Sequence, residues 1–296
     1  MEKNQNSKEF KLSELKPLEI AEHPYVKSRF IDTLKNIHHL SDGEAESCYE
    51  REILYYRKAL NGSDKLKKCT NVSLFSAFME IAINNLSIQP GGKADAFIES
   101  RGINVGTRDN PSWEQTASIN VSAYGELKMR MRAGQIIRMN NPIVIYDGDY
   151  FQPRTNERGE LTIDYKPAIP RKSNTIIGCY ACLILPNNGI DFKWLLQDDI
   201  DRLKKYSIPK SGGNNAQPNA LYSSHNGQID PGFLEAKTIK HAMRTLPKLR
   251  TSDAVTFEGE EETTAGITPA EEFAPDKLPE DNKTNTVTMN DESDIF

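Results

Sequence analysis

The sequence contains little cysteine, no long apolar run and no apolar stretch near residue 1. Four cysteines in 296 residues are too few for a disulfide framework, so we expect a reducing, cytoplasmic environment. The longest apolar run, residues 176–185, is interrupted by Gly178 and is too short to cross a bilayer. The first fifteen residues are polar and charged, unlike a signal peptide. We therefore expect no membrane association.

Charge is distributed unevenly along the chain. The whole sequence has 37 basic and 42 acidic residues, a net charge of −5. Residues 253–296 contain 13 acidic and only two basic residues, which leaves residues 1–252 with 35 basic and 29 acidic residues, a net charge of +6. A basic body followed by an acidic segment is typical of proteins with polyanionic partners.

Hydrophobic periodicity divides the chain into three parts. Residues 1–20 are polar with weak periodicity, which predicts a loosely ordered arm, and residues 251–296 predict a disordered acidic tail. Residues 21–250 form the predicted core, in which helices come first, then mainly strands, then helices again. This order predicts an α+β fold: a single core domain with a mainly antiparallel sheet flanked by helices.

The predicted elements follow from the spacing of apolar residues and from turn-forming residues between them. The helices are predicted at residues 26–37, 49–60, 73–86, 122–133, 198–206 and 233–246. The strands are predicted at residues 94–100, 116–122, 136–146, 161–165, 175–185 and 191–195. Residues 207–232 are rich in Ser, Gly, Asn and Pro, which predicts a long mobile loop.

Two short patterns suggest a cofactor or metal site, but their context argues against it. Residues 90–94 (PGGKA) resemble the end of a phosphate-binding loop, yet Ser87 replaces its first glycine and Ala94 its magnesium-binding Ser or Thr. Cys179 and Cys182 have the spacing of a zinc or redox pair, but residues three apart on a strand point to opposite faces. We expect no ATP site here, and buried structural cysteines.

Acidic residues leave one enzymatic alternative open. Asp147, Asp149, Asp164 and Lys166 loosely fit the arrangement in which carboxylates hold magnesium beside a scissile phosphate. The other interpretation is that Asp147 and Asp149, which flank Gly148, simply form a turn between two strands. A metal-dependent nuclease therefore remains the alternative function.

Basic side chains carry the strongest functional signal. The helix predicted over residues 122–133 places Leu127 and Met131 on an apolar face, while Lys128 and Arg132 project together elsewhere. A solvated helix face carries the same pattern, but a second basic helix in a basic body favours binding to a phosphate backbone, independent of base sequence. The candidate DNA-binding residues are Lys93, Arg101, Lys128, Arg130, Arg132, Arg138, Lys237, Lys240 and Arg244.

Several blocks of sequence resemble one protein family. Residues 86–91 (LSIQPG) follow a predicted helix, and residues 122–127 (SAYGEL) begin the basic helix that leads through residues 132–136 (RAGQI) into a strand. Residues 144–151 (VIYDGDYF) follow in order, and residues 235–238 (EAKT), with Arg244 through Pro247 after them, close the series. Their order and spacing resemble the RecT family of phage and prophage single-strand DNA annealing proteins.

The resemblance, which covers about residues 70–250, implies a function. Family members anneal complementary single strands and promote strand invasion in phage-type recombination without ATP. The resemblance therefore implies a protein without covalent chemistry or a required cofactor, although magnesium can modulate DNA binding. A purely structural nucleic-acid coat protein is a further alternative.

The resemblance also implies partners. Single-stranded DNA and the annealed duplex are the expected ligands, and the protein is expected to assemble with copies of itself into a ring or helical filament. A phage exonuclease that makes 3′ overhangs is an expected partner. Residues 290–296 resemble the acidic tip of bacterial single-strand binding proteins, which recruits partners. We therefore also expect the host single-strand binding protein as a partner and a role for the acidic tail.

Overall fold

The computed structural model describes residues 11–157, 159–186, 189–209 and 216–249. Within these ranges the chain forms one α+β domain of helices and antiparallel strands, which confirms the predicted fold class. The predicted acidic tail, residues 251–296, and the first ten residues of the predicted arm lie outside the described residues.

Helices form the first third of the described chain. After a 3₁₀ turn at Leu12–Glu14 they are α1 (Pro17–Ile20), α2 (Pro24–His38), α3 (Asp42–Gly62), α4 (Asp64–Lys67) and α5 (Asn71–Asn84). Side-chain caps fix where two of the longer helices begin: Ser41 and Glu44 form a reciprocal capping box on α3, and Thr70 accepts from the N–H of Ser73 on α5. Local sequence thus sets the helix starts.

A cluster of aromatic rings holds these helices together. The ring centroid of Phe78 on α5 lies 4.8 Å from that of Phe30 on α2 and 5.0 Å from that of Tyr56 on α3. All three side chains are almost fully buried, and aromatic pairs at such distances add to the stabilisation gained from their buried area. The helical layer is therefore a packed core and not a peripheral arm.

Residues 11–20 differ from the loosely ordered arm that we expected over residues 1–20. Ile20 is fully buried, and Leu15 packs against the same core cluster. The side-chain amide of Asn71 donates to the carbonyl oxygens of Leu12 and Leu15 at 2.8 and 2.7 Å. Burial of these few apolar residues fixes the segment despite its polar composition.

Strands follow the helices and pair only in antiparallel fashion among the described residues. They are β1 (Ala96–Asn104), β2 (Trp113–Val121), β3 (Arg138–Met139), β4 (Ile143–Tyr146), β5 (Tyr150–Thr155), β6 (Leu161–Lys166), β7 (Ile176–Ile184) and β8 (Ile190–Leu196). The pairs β1–β2 and β5–β6 form separate two-stranded sheets, whereas the buried β7 pairs with β8 on one side and with β3 and β4 on the other.

Two details of the sheet depart from the sequence prediction. The strand predicted over residues 136–146 is divided into β3 and β4 because Asn140 and Asn141 precede Pro142, which cannot donate to a strand partner. Strand β5 was not predicted, since its alternation is weak and Pro153 lies inside it. Pro153 is tolerated because β5 pairs with a single neighbour, β6.

Three more helices complete the domain: α6 (Ala123–Arg132), α7 (Gln197–Tyr206) and α8 (Pro231–Met243). Helix α8 packs on α6 and on the central sheet through a cluster that includes Ala123, Leu183 and Ile239. About a hundred residues of sequence separate α6 from α8. Their packing therefore brings together two basic helices that are distant in sequence.

The segment predicted as a mobile loop, residues 207–232, is anchored wherever it is described. Tyr222 and Ile229 are buried, and the side chain of Gln228 accepts a hydrogen bond from the N–H of Ile176 at 2.7 Å. Residues 210–215 lie outside the described part of the chain. The prediction was wrong for residues 216–232 because the sparse apolar residues of this segment reach a core that its composition does not reveal.

Candidate nucleic-acid interface

A buried carboxylate fixes the corner that follows α5. Glu52 of α3 is only 1% exposed. It accepts hydrogen bonds from the hydroxyl of Ser87 at 2.7 Å and from the N–H of Ile88 at 2.9 Å, and it pairs with Arg51 at 2.6 Å. Because these donors satisfy a charge that would otherwise be costly to bury, Glu52 holds residues 87–88 against the helical layer.

A second carboxylate joins this corner to α6. Asp95 accepts from the N–H of Ser87 at 3.1 Å and forms an ion pair with Lys128, while its carbonyl oxygen accepts from the N–H of Ser122 at 2.9 Å. At Gly125 a Cβ atom would lie 2.0 Å from the carbonyl oxygen of Asp95, so only glycine allows this close approach. The first turn of α6 therefore packs directly on the corner.

These contacts create a groove between the corner, the start of α6 and α8. We name it the lysine groove, and its lining residues are Gly91, Gly92, Ala94, Phe97, Ser122, Ala123, Tyr124, Ala236, Lys237 and Lys240. Lys93 adds a further cation, with its Nζ 5.5 Å from the ring centroid of Tyr124. Lys237 is largely buried, and its Nζ lies 4.9 Å from the ring centroid of Phe233.

The electrostatics of the groove are modulated by one carboxylate. Burial raises the pKa of Glu235, the nearby charge of Lys93 lowers it and that of Asp230 raises it, so that the pKa lies above its ordinary value. Burial, with the charges of Glu235 and Cys179, also raises the pKa of Tyr124. Tyr124 is therefore a neutral aromatic surface at neutral pH, beside the lysines of the groove.

The other predicted basic residues of α6 contact protein oxygens. Lys128 is paired with Asp95, as described above. Arg132 donates to the carbonyl oxygens of Asn84 and Asn85 at 3.2 and 2.6 Å, where α5 ends in a left-handed cap. These hydrogen bonds satisfy carbonyl groups that a helix end leaves without partners in the helix.

Arg130, also predicted to contact DNA, is only 6% exposed. Its guanidinium group donates to the carboxylate of Glu126 at 3.0 Å, to the side chain of Gln135 at 2.7 Å and to the carbonyl oxygen of Pro247 at 2.8 Å. Arg130 therefore connects α6 to the segment that follows α8, and its side chain faces protein.

The remaining predicted residues are dispersed. Arg101 lies on β1, Arg138 on β3 and Arg244 directly after α8, and none of the three lines the lysine groove. Sequence reasoning missed Glu52 and the presence of Phe97 in the groove. One signal was available for Glu52, since this acidic residue occupies a heptad-like core position on α3 between the buried Tyr49 and Tyr56.

The acidic residues of the nuclease alternative do not form a shared site. Asp149 accepts from the N–H groups of Tyr146 and Ala168 and from the hydroxyl of Tyr165 at 3.0, 2.8 and 3.1 Å. Partial burial raises its pKa, but these donors and a nearby arginine outweigh burial and leave the pKa below its ordinary value. Asp149 is thus a turn-stabilising residue.

The turn itself joins strands of different sheets, β4 and β5, and is not the tip of a hairpin between them. Asp147 is exposed in this turn, and Asp164 pairs with Arg154 at 3.5 Å. Among the described residues no three His, Cys, Asp or Glu side chains come together to hold a metal ion. The nuclease alternative is therefore unsupported.

The cysteine pair is buried in the central strand. Cys179 and Cys182 lie on β7 as free thiols. Burial raises the pKa of Cys179 to about 12, so its reactive thiolate form is scarce at neutral pH. These side chains are packing residues.

A groove with lysines at its sides and aromatic rings along it, on an α+β body, is typical of proteins that bind single-stranded nucleic acid. The sequence model of the RecT family matches residues 53–228, more than half of the chain. The chain belongs to the RecT family, which confirms the resemblance, and membership implies phage-type single-strand annealing recombination, with single-stranded DNA binding and oligomerisation. RecT family proteins are annealing proteins rather than catalytic enzymes.

The matched region includes the corner, α6 and the turn between β4 and β5, and it ends before α8. Lys237 and Lys240 therefore belong to the groove by geometry and lie outside the matched residues. No curated protein matches the chain. In the part of the chain that the structure describes, every helix is too short or too polar to span a bilayer.

Proposed function

We propose that this protein anneals complementary single strands of DNA without ATP and promotes strand invasion, and that it holds one strand's sugar–phosphate backbone at the lysine groove. The observation that carries the proposal is the convergence of Lys93 and Lys240 around Tyr124 and Phe97, with the largely buried Lys237 among the lining residues. Lys93 lies in the loop before β1, whereas Lys237 and Lys240 lie one turn apart on α8, more than a hundred residues later in the sequence. Their convergence supports selection for a polyanionic ligand.

The chemistry of such a groove is non-covalent. Lysine ammonium groups neutralise phosphates and release condensed counterions, which gives affinity without reading the base sequence. Two single strands repel each other as polyanions, and a protein that neutralises one of them lowers that repulsion while it holds the bases in order. An aromatic ring such as Tyr124 can stack on a base of any type. The bases left outside the groove then test a second strand.

The other candidate residues take different roles in this proposal. Lys128 and Arg132 flank the groove and bind phosphate by exchanging protein oxygens for phosphate oxygens. Arg101, Arg138 and Arg244 extend the path away from the groove, towards DNA held by neighbouring copies in a ring or helical filament. Arg130 is reassigned to a structural role because its donors are used inside the protein.

Partners and conditions complete the proposal. A phage exonuclease supplies the single strands by exposing 3′ overhangs, and the host single-strand binding protein occupies the same strands and must be replaced. We propose a cytoplasmic site of action, no required cofactor, and a modulating effect of magnesium through competition for phosphates.

The test is annealing of two complementary labelled oligonucleotides, with and without ATP and magnesium. The protein should accelerate duplex formation in the absence of both and leave the strands at full length. Lys93→Ala/Lys240→Ala should anneal at least tenfold more slowly. The matched control, Lys204→Ala/Lys205→Ala on α7, removes two lysines away from the groove and should anneal normally. Strands shortened only with magnesium, or equal loss in both variants, would contradict the proposal.

A further inference from the structure

The described chain ends at a fixed point beside α6. The carbonyl oxygen of Pro247 accepts hydrogen bonds from Arg130 at 2.8 Å and from the side chain of Gln135 at 3.2 Å. Arg130 is itself held by Glu126. The acidic segment, residues 253–296, therefore starts a few residues from a clamp on the same helix whose first turn borders the lysine groove.

The charges of the segment and of the groove are complementary. The acidic segment has 13 acidic and two basic residues, whereas the groove gathers Lys93, Lys237 and Lys240 around the rings of Tyr124 and Phe97. Carboxylates bind ammonium groups as phosphates do, and the apolar floor accepts an apolar side chain, of which the segment carries several between its acids. The groove thus matches acidic peptide as well as it matches DNA.

The length of the segment does not restrict which surface it reaches. An extended chain spans up to about 3.3–3.6 Å per residue, so a few tens of residues exceed the radius of gyration of a body of this size, about 18 Å. A tethered ligand also has an effective concentration on the order of millimolar. Binding within one chain is therefore favoured over binding to a separate, unassembled copy at ordinary protein concentrations.

We propose that acidic residues of the segment 253–296 occupy the lysine groove of their own chain and compete with the phosphates of single-stranded DNA. The inference rests on the proposed function, because it adds regulation of the same site. DNA must displace the segment, and long strands do so most effectively because they contact several copies at once. Short or scattered single strands are consequently disfavoured at low ionic strength.

Carbodiimide cross-linking of the full-length protein without DNA tests the contact directly, since this reagent joins only amines and carboxylates that touch. We expect cross-links from residues 253–296 to Lys93 or Lys240, and their suppression by an oligothymidylate strand. In a mixture of ¹⁴N- and ¹⁵N-labelled protein, the two peptides joined by each cross-link should carry the same nitrogen isotope, because both come from one chain. Cross-links only to lysines elsewhere, such as Lys204, or between differently labelled chains, would overturn the proposal.

Affinity for single-stranded DNA supplies the second readout. A full-length variant in which the segment's Asp and Glu residues become Asn and Gln should bind about three- to tenfold more tightly at low salt. The difference should vanish at high salt, where charges are screened. The gain should also disappear in the Lys93→Ala/Lys240→Ala background. Conversion of the segment's threonines to serine is the matched control and should change nothing.

The two proposals fail in different ways. If Lys93→Ala/Lys240→Ala weakens DNA binding but no cross-links reach the groove, the regulation is wrong and the DNA site stands. If cross-links form while the same variant binds DNA normally, the groove binds the acidic segment and the DNA site is elsewhere. Equal DNA affinity of the neutralised and unmodified proteins at low salt would also overturn the competition.

Discussion

The lysine groove and helix α6 are both basic, but they use their charge differently. In the groove, Lys93 and Lys240 come from distant parts of the sequence and lie beside the aromatic rings of Tyr124 and Phe97. On α6 the cations are crowded in sequence, yet Arg130 is buried and Arg132 donates to backbone carbonyl groups. Density of charge along a sequence therefore does not measure how much charge faces a ligand.

The difference also shows what α6 contributes. Its cations connect it to the end of α5, to the corner at Asp95 and to Pro247, so that the helix joins three parts of the fold. The groove depends on that framework, because its walls are the corner, α6 and α8. Substitutions can distinguish residues that hold this framework together from residues that contact the ligand. Four such substitutions follow, from the largest expected effect to the smallest.

Arg130→Met should destabilise the protein most. It removes a buried cation, leaves Glu126 without its donor and leaves the carbonyl oxygen of Pro247 with Gln135 alone, and breaking a buried ion pair costs about 3–5 kcal/mol. Partial exposure of Glu126 places the expected loss at the lower end, about 3 kcal/mol, measured by urea unfolding. A variant of unchanged stability whose DNA affinity depends less on salt would instead make Arg130 a phosphate contact.

Glu52→Gln should weaken both the fold and the groove. The amide cannot accept from Ser87 and Ile88 and also pair with Arg51, and a buried group left unsatisfied costs about 1–3 kcal/mol. We expect about 2 kcal/mol less stability in urea unfolding, together with weaker DNA binding, because the loop that bears Lys93 loses its anchor. Glu50→Gln, on the exposed side of α3, is the control and should be near normal in both measurements.

Asp95→Asn should tighten DNA binding by about two- to fivefold at low salt, a gain of under 1 kcal/mol. Loss of the carboxylate releases Lys128 from its ion pair, while the amide oxygen still accepts from the N–H of Ser87. Fluorescence anisotropy with a labelled single strand measures the change. Weaker binding by a variant that unfolds normally would place Lys128 outside the DNA path.

Glu235→Gln should have the smallest effect, about twofold tighter binding at neutral pH. Burial holds the pKa of Glu235 above its ordinary value, so the carboxylate gains a proton as the pH falls through that raised pKa, and a negative charge beside Lys93 is lost. DNA affinity of the unmodified protein should accordingly rise with falling pH in the acidic range. The variant should lack that part of the pH dependence. If the variant and the unmodified protein show the same pH profile of DNA affinity, Glu235 does not modulate DNA binding.

Local patterns predicted much of the fold. The spacing of Phe30 and Met79 within their helices and the apolar run of β7 identified elements that the structure contains. Strand β5 and the packed residues 11–20 could not be predicted in this way, because Pro153 and a polar composition hide them. Tertiary contacts decide such segments, and a single sequence does not contain those contacts in readable form.

The candidate site was predictable in composition but not in arrangement. Basic residues and the Tyr124 block pointed to a nucleic-acid-binding family, which the family match confirmed. The role of Arg130 depends on Pro247, which lies far away in the sequence. The groove likewise depends on packing of α8 against α6, a contact that no local spacing announces.

The salt dependence of single-strand binding tests the central claim most directly. For single strands, log affinity falls with log salt by about 0.7 per phosphate contact. Lys93→Ala/Lys240→Ala should therefore flatten the slope by about 1.4, whereas Lys128→Ala/Arg132→Ala, which also removes two charges, should flatten it by less than half as much. An unchanged slope in the groove variant, with the full loss in the helix variant, would contradict the assignment of DNA binding to the lysine groove.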